Sequence, residues 1–157
     1  MGQTIITQII QAPVAVVWAA VSNIEGFPGV TSDIIKVEYL SETRCGVGTR
    51  FRETRLMGKR ETTCELAVTE FVPEERVRFV SDKGGTIWDT VYTLTPSKND
   101  STEVNLAMDA RAYRLLAKVF NLLIAGLVRR EVEKDLGRVK TYCEAQVQAR
   151  HIGHSDL

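Results

Sequence analysis

The chain of 157 residues is poor in cysteine, histidine and proline, and it carries no excess charge of either sign. Cys45, Cys64 and Cys143 are widely spaced, odd in number and form no C-x-x-C pair, which argues against a disulfide framework and for reduced thiols in a cytoplasmic protein. Lys plus Arg number 20 and so do Asp plus Glu, so the basic excess that displaces phosphate counterions is missing and no nucleic-acid partner is expected. The same balance weakens a polybasic membrane tether. No apolar run approaches the ~20 residues of a membrane span. The longest, residues 115–127, is broken by Lys118 and Asn121, so no stable membrane insertion is expected. The only histidines, His151 and His154, lie near the chain end beside Gly153. Their i, i+3 spacing could ligate a metal on a helix, but chance spacing is the plainer reading. No metal and no cofactor is expected.

What the chain does have is strand pattern followed by one long helix. Residues 3–11 alternate polar and apolar groups with many β-branched side chains, which reads as a strand. Pro13 suits the first turn of a helix, VAVVWAAV supplies it, and NIEGFPGV reads as a second brief helix or turn. From residue 32 the period changes to two. IIKVEYL, TRFRETRLM, TTCELAVTEF, RVRFVS, TIWDTVYTLT and TEVNLAMD are six further strands, separated by the turn formers CGVG, MGKR, VPEE, DKGG and PSKNDS. Short loops between consecutive strands make an antiparallel meander. Residues 113–146 then form a helix, and residues 147–157 read as a polar, disordered tail, which makes 1–146 a single domain. The order implies an α+β fold: a curved antiparallel sheet of seven strands wrapped around a long C-terminal helix, with two short helices after the first strand.

The long helix is apolar in two different ways. In its second half Val128, Val132, Leu136, Val139 and Cys143 form one clean stripe. In its first half the best stripe is Leu116, Phe120, Leu123 and Leu127, flanked by Leu115, Val119, Leu122 and Ile124. The two stripes do not line up, and Gly126 at their junction is a candidate bend. One reading packs the second half flat on the sheet and the first half between the sheet and the small N-terminal helices, leaving a space between sheet and helix. The alternative buries the first half more deeply or docks it on a second copy of the chain as a homodimer.

Several stretches together resemble the START-like, polyketide cyclase/dehydrase superfamily. IIQAPVAVVWAAVSNIEGFP is similar to its strand–Pro–helix opening, GVGTRF, VTEFVPEERVRF and TEVNLAMD to its strands, and LVRREVEKDLGRVKTYCE to the end of its last helix. The resemblance spans roughly residues 3–146 and implies a helix-grip fold with a cavity between sheet and helix. For activity it implies only a range, from lipid, sterol and quinone carriers to aromatase/cyclases, and it carries over no catalytic motif.

Alternation assigns the faces of each strand. Cys64, Leu66 and Val68, Val77 and Phe79, Trp88, Tyr92 and Leu94, and Val104, Leu106 and Met108 should face the helix, together with Thr49, Phe51, Glu53, Arg55 and Met57. Arg50, Arg52 and Thr54 should face solvent. An inward Glu53 beside an inward Arg55, with Thr90 and Tyr92 on the same face, is costly unless the charges are paired. The functional reading is a polar anchor for the head of an apolar ligand. The plainer reading, which the sequence favours, leaves both residues solvated at a sheet edge or cavity mouth. An empty cavity of ~300 Å³ would cost about 7 kcal/mol, comparable to a domain's whole stability, so the space must be smaller, wet or filled.

The leading expectation is therefore a binder or carrier of a small hydrophobic molecule (lipid, quinone or polyketide-like). Its wall would be Phe27, Phe51, Trp88, Thr90, Tyr92, Leu116, Phe120 and Leu123, and its anchor Glu53 or Arg55. The alternatives are a cyclase/dehydratase-type enzyme, for which Glu53 with Tyr92 is the one nominated pair, and a protein-interaction module. Asp33, Asp89 and Asp109 could serve as bases only if buried beside substrate.

Overall fold

The computed structural model describes residues 3–155; Met1, Gly2, Asp156 and Leu157 lie outside the described residues. Strand β1 (Gln3–Ile10) leads through Ala12 and Pro13 into helix α1 (Val14–Ser22). Pro13 has no N–H to lose and accepts from the N–H groups of Val16 and Val17, at 3.0 and 3.2 Å, so it starts the helix from the cap position. A single 3-10 turn (Ile24–Gly26) and the short α2 (Phe27–Val30) follow, where Pro28 and Gly29 allow only one helical turn.

Six strands then run as a meander: β2 (Ile34–Tyr39), β3 (Arg50–Met57), β4 (Arg60–Val72), β5 (Arg76–Lys83), β6 (Thr86–Ser97) and β7 (Ser101–Ala112). The sheet order is β1-β7-β6-β5-β4-β3-β2, every pair antiparallel, with β1 and β2 as the two edges. Two-residue turns with left-handed glycines, Gly58 (φ 64°) and the pair Gly84 and Gly85 (φ 63° and 81°), close the β3–β4 and β5–β6 hairpins, because a side chain there would strain the backbone.

Helix α3 (Leu115–Ser155) is continuous through Gly126 and ends nine residues beyond Gln146. The segment expected as a disordered tail is thus helical as far as Ser155. Val147, half-buried against the core, accounts for part of this extension. α3 packs on β1, β7 and α1 and makes no comparable contact with β3 to β6. It therefore lies along one side of the curved sheet and stands off from the other.

The core fills the side where helix and sheet meet. Val132, Leu136, Val139 and Cys143 of α3 are buried with Val16, Val17, Ala20 and Val21 of α1 and with Ile10, Val104 and Leu106 of the sheet. The small N-terminal helices thus meet the second half of α3, the reverse of the expected packing: the Cys143 thiol lies 4.0 Å from the carbonyl oxygen of Val16. Burial pushes that thiol up to about 12, leaving it a small hydrophobe.

In the first half of α3 the inward stripe is Ala117, Asn121, Ile124 and Val128, continuing the second-half stripe backwards at spacings of three and four. The two halves share one inward line after all, and only its composition changes. Ala117 and Asn121 are buried, and the Asn121 side-chain amide donates to the Thr86 hydroxyl at 2.9 Å.

Candidate functional site

Where α3 stands off, a cavity of about 630 Å³ opens between helix and sheet. The strand register orders its wall by depth. At one end lie Met57, Lys83, Gly84, Thr86 and Phe120, and several of these wall residues are open to solvent, so this end is the mouth. Deeper along the strands the register sets Arg55 opposite Thr62, Glu53 opposite Cys64 and Phe51 opposite Leu66 on one side, and Ser81 opposite Trp88 and Phe79 opposite Thr90 on the other. The far end is closed by aromatic rings. Phe27, Phe51 and Phe79 meet edge to face with centroids 5.9 to 6.1 Å apart, and Tyr92 joins Phe79 at 6.4 Å. Such edge contacts fix the floor's shape as well as burying area.

An empty void of this size would cost about 15 kcal/mol at ~24 cal/mol per Å³, the upper end of a domain's stability. The space is accordingly one that solvent or a ligand fills.

One wall is charged. Glu53 is buried, at 8% exposure, so it belongs to the interior and the favoured reading of a solvated Glu53–Arg55 pair is corrected. β3 is not an edge strand: β2 covers it, and Glu53 faces the cavity. Arg55 Nε donates to Glu53 Oε1 at 2.5 Å and Arg55 Nη1 lies 2.8 Å from Asp135 Oδ2. Arg138 Nη1 extends the chain of charges to Asp33 Oδ2 at 2.6 Å and approaches Asp135 Oδ1 at 3.6 Å. Burial works against the Arg55 guanidinium, but Glu53 and Asp135 outweigh it and raise its pKa. Burial raises the Asp135 carboxyl, against the pull of Arg55. Burial also raises the Tyr92 phenol, and the Asp135 charge adds to it. Asp135 Oδ1 is buried without a hydrogen bond, and the Tyr92 hydroxyl makes none among the described residues. An acceptor and a phenol thus remain free to receive a polar group inside an apolar space.

Of the expected site residues, Phe27, Phe51, Glu53, Arg55, Trp88, Thr90, Tyr92 and Phe120 line this cavity. Leu116 and Leu123 do not. They are 85% and 79% exposed, because the helix turns its Ala117–Asn121 line to the sheet and carries these leucines on the opposite side. Thr54, expected in solvent, is buried on the outer face beside Thr63, with their hydroxyls 3.5 Å apart. Asp89 and Asp109 lie on the outer face with arginines: Asp89 binds Arg78 and lies 3.3 Å from Arg111, which in turn lies 3.5 Å from Asp109. Asp33 lines the cavity, held by Arg138. Asp135 and Asn121 also line the cavity, and neither is among the site residues expected from the sequence. Extending the Val132–Val139 stripe by 3.6-residue steps would have found them. No cluster of three or more metal-ligating side chains occurs among the described residues. None of their helices is long and apolar enough to cross a membrane.

A seven-stranded antiparallel sheet gripping one long helix over a largely apolar cavity is the helix-grip architecture of START-like proteins. The family of polyketide cyclase/dehydrase and lipid transport proteins matches residues 3–144, and the chain belongs to that family. Solved structures share the fold. The Zhui aromatase/cyclase from Streptomyces sp. R1128 is 17% identical with a TM-score of 0.77, over 93% of this chain and 95% of that one. A START superfamily protein from Mycobacterium smegmatis is 16% identical with a TM-score of 0.69, over 89% and 98%. The protein TTHA0849 from Thermus thermophilus is 19% identical with a TM-score of 0.70, over 95% and 99%. No curated protein matches the chain.

Proposed function

We propose that the protein binds one small hydrophobic molecule between sheet and helix, with a hydrogen-bond donor of that molecule directed at Asp135. The observation that carries this reading is a mostly apolar cavity of about 630 Å³ with a charged wall holding a buried carboxylate oxygen that accepts no hydrogen bond. The aromatic floor takes a ring or chain end, and the Glu53–Arg55–Asp135 network is held rigid by its own ion pairs. A ligand hydroxyl or N–H then meets an acceptor that needs no rearrangement. Mass spectrometry of the native protein and of its denatured extract tests the reading. A stoichiometric apolar compound bearing a hydroxyl or amide is expected. A bound molecule that is uniformly polar would overturn it.

A second reading, a cyclase or dehydratase acting on such a molecule, rests on Asp135. Its raised carboxyl is suited to hold and return a proton within reach of a bound substrate, and it replaces Glu53 as the nominated acid–base group because its Oδ1 is left without a hydrogen bond on the cavity wall. Turnover that survives Asp135→Asn with an unchanged pH profile would remove this role.

A further inference from the structure

We propose that residues 113–130, the first half of α3 and its lead-in, form a docking surface for an anionic lipid bilayer, set around the mouth of the cavity. The helix is tied down here, with Ala117 buried and Asn121 bonded to Thr86, so its exposed side is an oriented face. That face carries the large apolar side chains Leu115, Leu116, Val119, Leu122, Leu123 and Leu127, each more than half exposed. The inward line of the same turns holds Ala117, Asn121 and the half-buried Ile124, so more large apolar groups face outward than inward.

Charge identifies the occupant. Between residues 113 and 130 the sequence has Arg114, Lys118, Arg129 and Arg130 and no acidic residue, in a chain whose total charge is zero. Arg129 reaches Glu133 at 3.2 Å on the surface, while Arg114, Lys118 and Arg130 have no carboxylate partner among the described residues. A symmetric contact between two copies would set these cations against their own images with no acid in the segment to answer them. A bilayer of anionic lipid supplies phosphates for the cations and hydrocarbon for the leucines, the arrangement of a helix lying in the interface plane. Phe120 and Leu127 belong both to this segment and to the cavity wall, and both are more than half exposed, so docking would bring the mouth against lipid. Docking needs only the exposure and charge of the helix. Exchange of a ligand with the bilayer through the mouth rests in addition on the binding reading above.

The test is flotation of the purified full chain with vesicles of phosphatidylcholine, with and without phosphatidylglycerol. Binding to the anionic vesicles is expected, weakened by salt. Lys118→Gln with Arg130→Gln should lower the affinity about 25-fold, at roughly fivefold per cation. Leu116→Asp with Leu123→Asp should abolish binding. Both leucines point away from the cavity, so this variant should melt as the parent does and take up naphthol unchanged, which separates failure of docking from failure of ligand binding. Leu116→Ser with Leu123→Ser serves as a milder replacement should the aspartates disturb folding. The proposal is overturned if the chain ignores anionic vesicles at low salt or if the leucine variants float as well as the parent. Light scattering that shows a dimer abolished by those substitutions, without vesicle binding, would also overturn it and assign the face to a second copy.

Discussion

The two halves of α3 share one inward line and spend it in opposite ways. From Val132 to Cys143 the line is apolar and buried, and the outer side carries charges paired along the helix, such as Arg129–Glu133 and Lys140–Glu144. From Leu115 to Leu127 the line is Ala117, Asn121 and the half-buried Ile124, and the outer side is mostly leucine and valine. The second half therefore holds the fold together through the core it shares with α1. The first half contributes little burial; it borders the cavity mouth and presents an apolar surface. A single helix thus packs into the core at one end and exposes an apolar face at the other.

The widest gap between the halves should appear in stability. Leu136→Ala removes a side chain with no exposure and should cost about 2–5 kcal/mol, whereas Leu123→Ala should stay within about 0.5 kcal/mol of the parent. Urea unfolding of both variants measures the difference, and comparable losses would break the comparison. A smaller effect is expected where the first half is tied to the sheet. Asn121→Ala should cost about 1 kcal/mol and speed amide exchange in residues 115–127 while leaving residues 132–143 protected. Uniform exchange along the helix would show that the halves are not separately anchored.

The pH dependence sharpens the contrast at Asp135, which belongs to the second half yet faces the cavity. Burial holds its carboxyl above the ordinary Asp value of 3.8, so the folded chain keeps a proton that the unfolded chain has released. Stability from this group is complete below the ordinary value and falls as pH rises toward the raised one. Asp135→Asn should remove that decline, and parallel stability curves for parent and variant would contradict it. The least perturbing probe is thiol labelling, which alters no contact before it reads. Cys45 is exposed and should react fast, Cys64 on the cavity wall should react slowly and be protected by naphthol, and Cys143 should stay silent. Reaction of Cys143 ahead of Cys64 would mean that the second half opens first.

Much of this architecture can be read from the chain because strands repeat every two residues. The alternation in TRFRETRLM alone sets Phe51, Glu53 and Arg55 on one face, and the register agrees. Whether that face was wet could not be read, since burial of Glu53 depends on β2 covering β3 and on Asp135 arriving from α3, 82 residues beyond Glu53. The helix misled for a related reason. Apolar side chains usually mark the inward line, so the sequence places Leu116 and Leu123 on the wall, while the true line through Ala117, Asn121 and Asp135 reads as surface. A cavity wall and an exposed apolar face each break the rule that hydrophobicity points inward, and this helix contains both.

The cavity's occupancy is tested most directly by filling it. Cys64 is a small side chain on the wall, and Cys64→Trp should occupy the space without forcing the core, leaving stability unchanged or raised by about 0.5–2 kcal/mol. Native mass spectrometry with naphthol should then show a one-to-one adduct for the parent and none for this variant. An adduct that persists equally in Cys64→Trp, or a parent that takes up no naphthol, would contradict a ligand site between sheet and helix.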